Sequence, residues 1–131
     1  VVYHFQLQNQ LSQVADTVSS ACKACEAISW LDPDNLALCL TEALNNAVVH
    51  GCPSEEDVTI NLTLEIAGDT CEFLITDRFQ MLEPAHLKIE QQAPEEQFSG
   101  RGLYLIQCLA AEVVVSDGHL LILFQKSRQS Q

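Results

Sequence analysis

Leu38-Cys39-Leu40-Thr41-Glu42-Ala43-Leu44-Asn45-Asn46-Ala47-Val48-Val49-His50-Gly51 is the stretch on which the reading of this chain turns. Apolar residues at Leu36, Leu38, Leu40, Ala43, Leu44, Ala47, Val48 and Val49 fall on almost every side of a helix, which predicts one that is largely buried. Gly51 at a C-terminal cap position and Pro53 beyond it close that helix. Glu42 and Asn46 stand four residues apart, hence on one face about one turn from each other, with Leu38 and Val49 above and below. A carboxylate and an amide in such a setting need partners, because burying them unpaired is costly.

Two readings of the pair are open. Glu42 is a charge on the helix surface and Asn46 a cap or core amide; or Glu42 orients or deprotonates a nucleophile while Asn46 offers its carbonyl oxygen to Mg²⁺. That hard cation takes oxygen ligands and often only one or two of them from protein.

Composition narrows the classes. The 131 residues fit a single domain, 1–131, large enough for a proper core. Eighteen acidic against six basic residues give a net charge of −12, which argues against nucleic acid or an anionic membrane as the main partner. Any phosphate bound here must be held mostly by backbone N–H groups and a metal. No apolar run approaches the roughly 18 residues of a membrane span, and no signal peptide is visible at Val1-Val2-Tyr3. Without an initiator Met, the natural start is expected upstream. Six cysteines (Cys22, Cys25, Cys39, Cys52, Cys71, Cys108) are scattered, mostly within apolar patterns where Cys acts as a small core residue, and a reducing cytoplasm is the natural setting. Cys22 and Cys25 form a Cys-x-x-Cys with neither a second pair at zinc spacing nor the preceding strand of a redox motif.

Residues 1–7 alternate like a strand, with Val1, Tyr3, Phe5 and Leu7 on one face. Residues 10–31 follow near helical period, through Leu11, Val14, Val18, Cys22, Cys25 and Ile28. Asp32-Pro33-Asp34-Asn35 is a turn from which Asp34 or Asn35 can cap the Glu42 helix. Residues 58–66 and 71–76 read as an antiparallel hairpin about Ala67-Gly68-Asp69. Residues 79–100 hold Pro84, Pro94, a Glu/Gln-rich run and little periodicity beyond a helical turn at 85–89, and a loop this long in a compact domain is usually functional or mobile. A helix over 102–111 and strands over 112–116 and 119–125, joined at Asp117-Gly118, complete the domain before a polar tail at 126–131. The order predicts an α+β fold: a mixed, mostly antiparallel sheet with helices on one face.

Ser99-Gly100-Arg101-Gly102-Leu103 lies between that loop and a helix, where glycines let backbone approach a ligand and first-turn N–H groups favour an anion. A lone Gly-x-Gly also commonly just starts a turn.

Glu42-Ala43-Leu44-Asn45-Asn46-Ala47-Val48-Val49-His50-Gly51 resembles the N-box of the Bergerat-fold (GHKL) ATPases, the superfamily of histidine-kinase ATP-binding domains and DNA gyrase. Its Glu-Ala-x-x-Asn-Ala-x-x-His-Gly form is most similar to the bacterial anti-sigma-factor serine kinases. Ser99-Gly100-Arg101-Gly102-Leu103-Tyr104 resembles their second glycine box, and Ile75-Thr76-Asp77 stands where the first begins. The resemblance implies a two-layer sandwich, with Glu42 as general base for a serine hydroxyl and Asn46 as Mg²⁺ ligand beside ATP. It implies Asp77 on the adenine amino group, Gly100 and Gly102 where an ATP lid (79–100) wraps the phosphates, and a homodimer through the N-terminal strand and first helix. Arg101 is the lid-region cation best placed for a terminal phosphate, with a solvated arginine as the plain alternative.

The first glycine box departs from the family's Asp-x-Gly-x-Gly: here it is Asp77-Arg78-Phe79-Gln80-Met81, and His119-Leu120-Leu121 stands where the family tends to place an adenine-reading Thr. The phosphate and metal half is kept and the adenine half altered. The leading expectation is a cytoplasmic regulatory serine/threonine kinase. It transfers phosphate from Mg-ATP to a hydroxyl on a small antagonist protein and sequesters a sigma factor or another regulator by partner switching. The alternative is a non-catalytic or weakly nucleotide-binding interaction module of the same fold. A sensor histidine kinase is not expected, because His4, His50, His86 and His119 fall on different elements, nor is a gyrase-like role, which needs a following domain.

Overall fold

Alternation of apolar and polar residues recurs along the strand segments, and it builds one antiparallel sheet. The computed structural model describes residues 1–8, 10–50, 59–76, 98–116 and 119–126. In chain order these form β1 (Val2–Gln8), a 3₁₀ turn (Leu11–Gln13), α1 (Val14–Ala24), α2 (Pro33–His50), β2 (Thr59–Ala67), β3 (Thr70–Thr76), α3 (Phe98–Leu109), β4 (Glu112–Ser116) and β5 (His119–Gln125). The strands are ordered β1-β2-β3-β5-β4. Every pairing among the described strands is antiparallel, so the sheet is more uniform than the mixed one expected.

Register places the apolar residues in rows across the sheet. Phe5, Leu62, Ile75, Leu120 and Val115 face one another strand by strand, as do Leu64, Phe73, Ile122 and Val113. These rows form one core with Val14, Val18 and Ala21 of α1, Leu36, Leu40 and Leu44 of α2, and Ile106 of α3, so the helices cover one face of the sheet. Each such Leu or Phe contributes about 1.5–3 kcal/mol by leaving water. Phe73 and Phe124 add an edge-to-face contact, centroids 6.0 Å apart at 88°. The β2–β3 hairpin turns at Gly68 and Asp69, between the paired Ala67 and Thr70. Gly68 has φ +58, a conformation that glycine adopts without strain.

Several boundaries differ from the sequence reading for physical reasons. The α1 helix stops at Ala24, and the apolar spacing of three that continued beyond it is used by consecutive turns instead. Cys25 N–H donates to the Cys22 carbonyl (3.0 Å), Ile28 N–H to Cys25 (2.9 Å) and Leu31 N–H to Ile28 (3.3 Å). The cap of α2 is Asp32 rather than Asp34 or Asn35: its Oδ1 accepts from Asp34 N–H at 2.9 Å and Asn35 N–H at 3.4 Å. Pro33 opens the helix, where its missing N–H loses nothing. The α2 helix is not buried all round, since Leu38 is 41% exposed. The α3 helix begins at Phe98, so Ser99, Gly100 and Arg101 are helical residues rather than loop. Glycine disfavours a helix interior by about 1 kcal/mol, and packing of α3 against α2 outweighs that preference.

Candidate functional site

The 18 residues of α2 carry the predicted pair in their C-terminal half. Asn46 has no accessible surface, packed in a segment where Ala43, Leu44 and Ala47 are equally buried. Among the described residues neither its Nδ2 nor its Oδ1 has a hydrogen-bond partner. Leaving a buried amide unsatisfied costs roughly 1–3 kcal/mol, and an orphan of this kind calls for an explanation. A ligand that engages the amide on binding is one: Oδ1 is a hard oxygen donor suited to a small divalent cation, and Nδ2 is a donor suited to an anion.

Glu42 lies one turn nearer the helix N-terminus and is only partly buried. Packed against α2 is α3, whose first turn is built by residues 98–101 with Gly102 just beyond. First-turn N–H groups lack helical acceptors, so this helix end can hold an anion. The sheet contributes Thr76 at the end of β3, paired with Asn61 and His119. Asp77, which follows it, lies outside the described residues, as do Phe79, Met81 and the lid at 79–97.

The fold therefore brings Glu42 and Asn46 onto one helix and sets the helix that carries Gly100, Arg101 and Gly102 alongside. Two clefts of about 230 Å³ lie elsewhere: one is lined by Cys22, Cys25, Glu26 and Leu36, the other by Trp30, Asp32, Leu109 and Phe124. Both border the N-terminal end of α2 and contain none of the predicted site residues. Among the described residues no group of three or more His, Cys, Asp or Glu can hold a metal ion. A cation at Asn46 would draw the rest of its ligands from other residues, phosphate or water. Sequence reasoning missed the contact of Cys25 with Cys71, whose sulfurs are 3.8 Å apart across 46 positions of sequence. No local spacing signals a pair so far separated.

Comparison with known proteins shows the family. The family described as histidine kinase-like ATPase domain matches residues 6–126. The chain is also 30% identical over 106 residues to the serine-protein kinase RsbW of Oceanobacillus iheyensis, an alignment covering 75% of this chain and 67% of that protein.

Proposed function

Because the chain belongs to the histidine kinase-like ATPase domain family, we propose that it is a regulatory serine/threonine protein kinase of the anti-sigma-factor type. It uses Mg-ATP to phosphorylate a hydroxyl on a small antagonist protein, and by partner switching it holds or releases a sigma factor or a comparable regulator. The observation that carries this reading is the buried Asn46 amide, without a partner among the described residues, one turn from the half-buried Glu42. The similarity to a serine-protein kinase supports hydroxyl as the acceptor class.

In this reading Asn46 Oδ1 faces Mg²⁺, which when bound with ATP supplies charge neutralisation at the phosphates. Glu42 takes the proton of the acceptor hydroxyl and holds that oxygen in line. Backbone N–H groups at the start of α3, with Gly100, Arg101 and Gly102, hold the phosphates, and Asp77 accepts from the adenine amino group. With a net charge of −12, the chain has few cations to spare for that task. Homodimerisation through β1 and α1 is part of the same proposal. It is supported by the place of β1 at the sheet edge and the exposure of Val2 and Tyr3 there. We place the protein in the cytoplasm; among the described residues no helix is long and apolar enough to cross a membrane.

The test is transfer of label from terminally labelled ATP, in the presence of Mg²⁺, to serine or threonine in a pool of small proteins from the source cell. The native chain should label one of them, and Glu42→Gln should lower the rate roughly 10²–10⁴-fold while nucleotide still binds. Bound nucleotide with no acceptor labelled would favour the second reading, a non-catalytic interaction module. The bulky Phe79 and Met81 in place of glycines speak for that alternative.

A further inference from the structure

Cys25 caps the C-terminal end of α1 and Cys71 is the second residue of β3, both are buried, and their sulfurs stand 3.8 Å apart in hydrogen-bonding contact. Around it lie Ile66 and Phe124, the strand partners of Cys71. On the other side, Cys25 and Cys22 line the cleft of about 230 Å³ that also borders Glu26, Leu31 and Leu36, which brings small solutes up to the Cys25 residue.

We propose that Cys25 and Cys71 are a site of oxidative modification, a dithiol that a peroxide converts to a disulfide pinning the end of α1 to β3. A disulfide needs its sulfurs at about 2.0 Å, and two thiols already in contact reach that by side-chain rotation. The chemistry divides between the two sulfurs. The hydrogen bond between the two sulfurs lowers the Cys25 pKa against the opposing effect of burial. The same bond, with burial and the negative Cys25 beside it, raises that of Cys71. Burial, then the charge of Cys25, also raises Cys22. Cys25 is thus the sulfur that attacks.

In the first step the Cys25 sulfur bonds one peroxide oxygen, the O–O bond breaks, and the departing hydroxide takes the proton Cys25 gave up, leaving a sulfenic acid and water. In the second, the Cys71 sulfur attacks that sulfenic sulfur, the S–S bond forms, the S–O bond breaks, and hydroxide leaves as water with the Cys71 proton. Two thiols and one peroxide give one disulfide and two waters. The proposal is independent of the nucleotide reading, since none of its residues belongs to that site.

Peptide mapping of the full chain after treatment with hydrogen peroxide and iodoacetamide tests it. Cleavage after Lys and Glu places Cys22, Cys25 and Cys71 on separate peptides, 1–23, 24–26 and 66–72. The expected product is 24–26 joined to 66–72, lighter than their sum by two hydrogens, with Cys22 alkylated. The cross-linked chain should melt several degrees above the reduced one. In Cys71→Ser the link should vanish and a sulfenic acid at Cys25 become trappable by dimedone. A link between 24–26 and 1–23, or full alkylation of all three cysteines after peroxide, would overturn the proposal whether or not the variant folds.

Discussion

Asn46 lies one helical turn beyond Glu42 on α2, and the two differ in a telling way: Glu42 is partly exposed, whereas the Asn46 amide is sealed from solvent with neither polar atom satisfied among the described residues. A side chain kept in that state weakens the ligand-free fold, and this gives the account its sharpest stability prediction. Replacing Asn46 with Leu, which has the same heavy-atom branching without polar atoms, should stabilise the ligand-free chain by about 1 kcal/mol, read as a rise of a few degrees in thermal midpoint. A substantial loss of stability would mean that the amide has a structural role after all.

Met81 stands where the family's first glycine box has its second glycine. Met81→Gly should tighten ATP binding if a nucleotide site exists and is narrowed by that side chain. Unchanged, undetectable binding in the variant would favour the interaction module.

The α2 helix has an inner and an outer leucine. Leu44 is fully buried and Leu38 is 41% exposed, although the sequence pattern treats them alike. Denaturant unfolding should show Leu44→Ala losing roughly 2–5 kcal/mol, and Leu38→Ala far less. Equal losses would contradict the placement of α2.

Burial pushes the Cys39 thiol from 9.0 up to about 12. The folded chain therefore keeps a proton that the unfolded chain gives up. The stabilisation from this group is whole below about pH 9 and is lost as pH rises toward 12. Thermal midpoints of the native chain should fall more steeply across that interval than those of Cys39→Ala. Parallel curves would show that Cys39 titrates normally.

Much of this was legible because period and chemistry agree in the sequence. The strands at 2–8 and 59–67 carry alternation, and Gly68 marks the hairpin turn that the structure has. The Glu42/Asn46 spacing placed the two residues a turn apart on one helix, where the structure has them. Other features depended on competition that a local pattern does not display. The spacing of three from Cys22 to Leu31 suits a helix and a chain of turns equally, and backbone hydrogen bonds chose the turns. Gly100 falls ahead of the helix that the sequence predicts from 102, and packing of α3 on α2 draws it into the helix. Cys71 met Cys25 only through the register of β3 in the sheet, which nothing near Cys71 in sequence encodes.

The central claim is that the Asn46 amide is unpartnered because it awaits a metal-bound nucleotide. Calorimetric titration of the purified chain with ATP, with and without Mg²⁺ and beside Asn46→Ala, tests it most directly. The account predicts saturable binding that requires Mg²⁺ and disappears in Asn46→Ala while the variant's circular dichroism stays native. Binding that persists undiminished in Asn46→Ala, or no heat from the native chain at millimolar nucleotide, would contradict it.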